Sequence, residues 1–124
     1  MIGQEDLQRI KENSIGVASG ANWASQTSAE EIRSYEKVIG EERFLAVYPY
    51  AEYPEYGIPA ALSTDNPCSP GIMDVFGYVQ VLVNGYDHSK PIDENSVLRR
   101  DKFITVEQAL KMFTYNGAWM SIRA

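Results

Sequence analysis

The residues in this sequence singled out by type and setting as able to do chemistry on a substrate are Asp65, His88, Cys68 and a tyrosine-rich run. Asp65 stands in Ser63-Thr64-Asp65-Asn66-Pro67, after an apolar stretch, where Asp, Asn and Pro are ordinary turn formers. One carboxylate cannot build a zinc site, which needs three or four ligands. His88 is the only histidine and lies in Gly85-Tyr86-Asp87-His88-Ser89-Lys90, which reads as a solvated loop. Cys68 is the only cysteine. As a nucleophile it would need a base, and no histidine is near it in sequence, so a small buried thiol is the simpler reading. Tyr48, Tyr50, Tyr53 and Tyr56, with Trp23, could form a platform for a carbohydrate or aromatic ligand, but helix packing accounts for them more simply. The pairs Glu30-Glu31 and Glu41-Glu42 fit solvated helix ends favoured by the helix dipole, not a cation site.

Composition narrows the classes. With 124 residues there is room for one domain, whereas a complete (β/α)₈ barrel takes roughly 250. The 44% hydrophobic and 23% charged content is that of a globular chain rather than a disordered one. Lys and Arg total 11 against 17 Asp and Glu, a formal charge of -6 that argues against a nucleic-acid surface. The single cysteine excludes an intrachain disulfide and fits a reducing compartment. No apolar run approaches the ~20 residues of a membrane span, and the first residues lack a signal peptide's pattern. A cytoplasmic location, without membrane or nucleic-acid partners, is the expectation.

These residues must be positioned by alternating strands and helices. Leu7 and Ile10 predict an amphipathic helix ending near Asn13, and Ile15 to Ser19 a short buried parallel strand. Ser28-Ala29-Glu30-Glu31 is a capping box, opening a helix with Ile32, Tyr35 and Ile39 at i, i+3 and i+7, stopped by Gly40. A short helix or turn is expected in the Tyr48 to Tyr56 run. Ile58 to Ser63 predicts a second strand, and Ser69-Pro70 the N-cap and first residue of a helix. Ile72, Val75, Phe76, Val79, Leu82 and Val83 form that helix's apolar stripe, with Asn84-Gly85 as its stop. Residues 86–102 read as loop. Thr105-Val106-Glu107-Gln108 is a second capping box, before an apolar face of Val106, Ala109, Leu110 and Phe113. This order predicts α/β architecture with right-handed βαβ units.

Three stretches carry a resemblance: Gly40-Glu41-Glu42-Arg43 with Tyr48-Pro49, the strand ending in Ser63-Thr64-Asp65-Asn66-Pro67, and Ile104 to Leu110 followed by Thr114-Tyr115-Asn116-Gly117-Ala118. In this order and spacing the chain, from about Leu7 to Ser121, resembles the end of the metal-dependent amidohydrolases. The branch is that of N-substituted formamide deformylase and related exoenzyme-like hydrolases. The resemblance implies a partial (β/α)₈ TIM barrel, residues 1–124 supplying the last two βα units and a C-terminal helix. It implies that Asp65, at the end of the eighth strand, is the catalytic carboxylate that binds or faces a divalent metal, usually zinc, and accepts the proton of the attacking water.

The other ligands of such enzymes come from a His-x-His on strand one, a Lys or acidic residue in mid-barrel, and histidines on strands five and six; this sequence has none of these segments. Gly20-Ala21-Asn22-Trp23 stands where the family often has a Gln-Pro pair. The resemblance therefore implies a C–N bond hydrolase acting on a small molecule only when joined to missing barrel segments or a second copy, with no zinc bound by the chain alone. The alternative is a non-catalytic barrel remnant serving as a structural or assembly module. Two strands with unpaired edges, and Val17, Ala61 and Leu62 facing an incomplete interior, lead to an expectation of self-association.

Overall fold

The computed structural model describes residues 2–21, 28–65, 74–97 and 102–123. The expected strands form over Val17–Gly20 (β1) and Ala60–Ser63 (β2) and pair in parallel, Val17 opposite Ala60 and Gly20 opposite Ser63. Ile15, expected in the first strand, precedes it and is half exposed. Helix α1, Gln4–Glu12, leads into β1, its C-terminus capped by Asn13. Between the strands run α2 (Ala29–Ile39), α3 (Glu41–Leu45) and α4 (Glu52–Glu55). After β2 come α5 (Val75–Asn84), a 3₁₀ turn over Glu94–Ser96, α6 (Val106–Phe113) and α7 (Tyr115–Arg123). The result is a mixed α/β fold around a two-stranded parallel sheet. No helix among the described residues is long and apolar enough to cross a membrane.

Local chemistry sets the helix ends. The Glu31 amide donates to the Ser28 hydroxyl at 3.1 Å while the Ser28 amide donates to the Glu31 carboxylate at 3.2 Å, closing the first capping box. The second closes in the same way: the Gln108 amide donates to Thr105 Oγ1 at 3.2 Å, and the Thr105 amide to Gln108 Oε1 at 2.8 Å. Gly40 ends α2 at φ 84°, and Gly85 ends α5 in the left-handed region at φ 82°. Gly40 also opens α3, a helix that the sequence reading did not resolve.

The core joins Leu7 to the tyrosine run, β2, α5 and α6. Ala60, Leu62, Tyr50, Tyr53, Tyr78, Leu82, Ala109 and Met112 are all buried there. Two predicted helix faces are corrected. On α5, Val75 and Phe76 are exposed, Phe76 by 75%, and the inward residues are Tyr78, Val79, Val81 and Leu82. The shift arises because the inward residues face α6 and the buried core cluster, and not a stripe chosen by apolar spacing alone. On α6, Val106 and Leu110 face outward, and Met112 joins Ala109 inside. The expected start at Ser69-Pro70 lies outside the described residues; the described helix is capped by Asp74, whose carboxylate accepts from the Gly77 amide at 2.8 Å.

The pleat corrects a third expectation. Side chains alternate along a strand and share a face across a parallel register. Val17 and Leu62 therefore lie on the face of Ala60, in the core, while Ala61 lies on the other face with Ala18. The segment expected as loop also carries structure: Asp87, Ser96 and Val97 are buried.

Candidate active site

The ends of the strands hold the candidate carboxylate. Asp65 lies two residues past β2, exposed, with its backbone in the left-handed region at φ 57°. Asp tolerates that conformation better than most residues but still less readily than glycine. Beside it, β1 ends at Gly20, whose carbonyl accepts from the Tyr50 hydroxyl at 2.8 Å, and Ala21 is fully buried. Residues 18–20 and 61–63 line an open hollow of about 330 Å³. Its residues are Ala, Ser, Gly and Leu, so the sheet offers space near Asp65 and no titratable side chain.

One hydroxyl on α5 bears on this region and was not expected. Tyr78 is 1% exposed, and its hydroxyl is buried with no hydrogen-bond partner among the described residues. Burial chiefly, then the negative charges of Asp87 and Asp65, push its phenol above the usual tyrosine range. It is thus a neutral donor within the electrostatic reach of both carboxylates. Its place in the apolar run Val75 to Val83 disguised it as one more core residue; a hydroxyl among aliphatic neighbours was the available signal.

Asp87 is a structural carboxylate. Its side chain is buried and accepts from the Ser89 amide at 2.9 Å and the Ser89 hydroxyl at 2.6 Å, with Lys90 at 3.6 Å. Burial alone would raise its carboxyl, but the Ser89 hydrogen bonds and the Lys90 charge outweigh it and hold the group below the usual range. His88, expected as a solvated loop residue, is half exposed and lies 3.7 Å from Asp74, at the N-cap of α5. Cys68 and Trp23 lie outside the described residues. The tyrosines pack as expected: Tyr50 and Tyr53 are buried, Tyr48 stacks on Tyr50 at 6.1 Å, and Tyr53 meets Tyr50 edge-on at 6.5 Å. A hollow of about 30 Å³ bordered by Tyr48, Tyr50, Leu82 and Ile104 is too small for a substrate.

The Thr-x-Asn-Gly-Ala run acts at the opposite ends of the strands. Asn116 donates its side-chain amide to the Ala60 carbonyl at 2.8 Å, and a Cβ on Gly117 would stand 4.0 Å from Ala61 Cβ. Farther along α7, Met120 and Trp119 close over Gly16, just before β1: a Cβ there would lie 2.5 Å from Met120 Sδ. These residues position α7 on the sheet and are remote in role from Asp65.

Among the described residues, no group of three or more His, Cys, Asp or Glu is placed to hold a metal ion. Those residues therefore do not make the donor set a divalent metal needs. What they present is a parallel strand ending in an exposed carboxylate and a small-residue surface beside it.

A family model described as the amidohydrolase family matches residues 2–122, nearly the full length, so this chain belongs to the amidohydrolase family. No curated protein and no solved structure is found to match it.

Proposed function

We propose that this chain is the C-terminal part of a metal-dependent amidohydrolase barrel, in the formamide deformylase and exoenzyme-like branch. It hydrolyses amide-type C–N bonds of a small molecule when joined to barrel strands it does not itself supply. The observation that carries this reading is the placement of Asp65: an exposed carboxylate just beyond the end of a parallel strand, in a chain of the amidohydrolase family. Active sites of βα barrels gather at that end of the strands. As a carboxylate, Asp65 can take the proton of a water attacking the amide carbon. Divalent-metal chemistry is general in the family, and zinc is the metal proposed. Asp65 would contribute one ligand, and the rest must come from the missing segments or from a second copy.

The test is reconstitution. The coding sequence directly upstream is read for a His-x-His segment, and the chain is produced alone and together with that segment. Alone, it is expected to retain no stoichiometric zinc after chelation and to hydrolyse no formamide, amide or ester. Joined, it is expected to hydrolyse a formamide, and Asp65→Asn to reduce that activity by about 10²–10⁴-fold. Full activity of the joined Asp65→Asn variant would overturn the role of Asp65. A joined protein that folds but never hydrolyses would favour the non-catalytic module instead.

A further inference from the structure

An asparagine followed by glycine or serine can modify itself. The next residue's backbone nitrogen, once it loses its proton, attacks the side-chain carbonyl carbon, and a small following residue leaves that approach open. Such asparagines are a thermal weakness of proteins. Among the described residues the pairs of this kind are Asn13-Ser14, Asn84-Gly85, Asn95-Ser96 and Asn116-Gly117. A nitrogen whose hydrogen is already donated to a carbonyl must break that bond before base can take the proton. The fold occupies the attacking nitrogen in the first three pairs. The Ser14 amide donates to the Lys11 carbonyl at 3.0 Å, the Gly85 amide to the Val81 carbonyl at 2.8 Å and the Ser96 amide to the Asp93 carbonyl at 3.0 Å. Gly85 is in addition buried against Val97 and Phe103.

Gly117 differs. It stands in the first turn of α7, where a helix leaves its amides without an intrahelical acceptor, and its N–H has no partner among the described residues. Such amides commonly bond to water instead. Asn116 and Gly117 are both partly exposed, so base can reach them.

We propose that Asn116 is a self-modification site, the first of these asparagines to deamidate in the folded chain. Hydroxide takes the Gly117 amide proton, the nitrogen bonds to Asn116 Cγ, and the Cγ–Nδ2 bond breaks, releasing ammonia with a proton from water. The resulting succinimide adds water across one of its C–N bonds and opens to aspartate or isoaspartate; nothing is oxidised or reduced. The Asn116 side-chain amide, which donates to the Ala60 carbonyl at 2.8 Å, can keep that bond while its carbon is attacked, and loses it as ammonia leaves. Neither product restores it, because an ionised carboxylate only accepts. The modification therefore removes a hydrogen bond that ties α7 to the start of β2.

The inference is independent of the hydrolase reading, and ageing the full chain tests it. Folded protein and protein in urea are held at mildly alkaline pH, and their peptides are read by mass spectrometry for conversion of each side-chain amide to acid. In the folded chain Asn116 is expected to convert at least about five-fold faster than Asn84, the ratio that corresponds to ~1 kcal/mol for the Gly85 bond that must open first. In urea the two Asn-Gly pairs should convert at similar rates, because neither nitrogen is then held. Gly117→Ala adds a methyl that meets only Ala61 Cβ, at 4.0 Å, and should suppress conversion at Asn116 with the fold intact by circular dichroism. In the aged chain the amides of α7 should exchange their hydrogens about five-fold faster, again the ratio for one lost bond. Conversion at Asn13, Asn84 or Asn95 as fast as at Asn116 in the folded chain, or undiminished conversion in Gly117→Ala, would overturn the site. Unchanged exchange in α7 of the aged chain would overturn its loosening.

Discussion

The two ends of the small sheet are built on opposite principles. At the start of the strands, Asn116 bonds to Ala60, α7 presses Met120 and Trp119 over Gly16, and Met112 fills the core beneath. At the finish, Asp65 stands exposed in a left-handed conformation next to an open hollow, and the Tyr78 hydroxyl, on which its charge bears, is buried without a partner among the described residues. The first end is packed and satisfied; the second carries strain and an unmet donor. Sites that must bind or react are commonly assembled from such costly features, with stability supplied elsewhere. The contrast itself supports looking for function at Asp65, apart from any family argument.

Substitutions at the packed end should be the most damaging. Met112→Ala, which removes a side chain 2% exposed, is expected to cost about 2–5 kcal/mol in denaturant unfolding. A loss under about 1 kcal/mol would mean that the start of the sheet is looser than its packing indicates. Gly85→Ala should cost about 2–4 kcal/mol, because a Cβ would collide with Val97 and the left-handed backbone disfavours it. Asp87 gives a pH-dependent effect of intermediate size. Its folded carboxyl titrates below the unfolded value of about 3.9, so its contribution is complete above that pH and is lost as pH falls through the folded value. Thermal melts between about pH 5 and pH 2 should therefore fall less steeply in Asp87→Asn than in wild type; parallel curves would remove Asp87 from the account.

At the open end the sign should reverse. Asp65→Gly relieves the φ of 57° and is expected to leave stability unchanged or raise it by up to about 1 kcal/mol. A clear loss would show that Asp65 holds the fold together and would break the comparison. Smallest of all is Tyr78→Phe, which deletes the orphaned hydroxyl and keeps the ring stacked on Phe113 at 6.4 Å. It should change the melting temperature little, and upward if at all, since a buried polar group without a partner is a net cost.

Local pattern was enough to read the capping boxes at Ser28 and Thr105, the glycine stops at Gly40 and Gly85, and both strands to within two residues. Each is written in neighbouring residues, where a side chain reaches a backbone group three positions away or a φ admits only a few residue types. The amidohydrolase kinship was legible for a similar reason, being carried by the order of a few short runs. Which face of α5 and α6 turns inward was not legible. Val75, Phe76, Val106 and Leu110 are as apolar as the residues that replaced them inside, and burial depends on what lies across from each helix. Nor could local pattern place Tyr50 on Gly20 or Asn116 on Ala60, contacts spanning 30 and 56 positions. Where elements begin, end and alternate is written locally, because those choices are made over distances of three or four residues. Which carbonyls Tyr50 and Asn116 occupy, which hydroxyl finds no partner among the described residues and which carboxylate stands open depend on groups that meet only when the chain has folded back on itself.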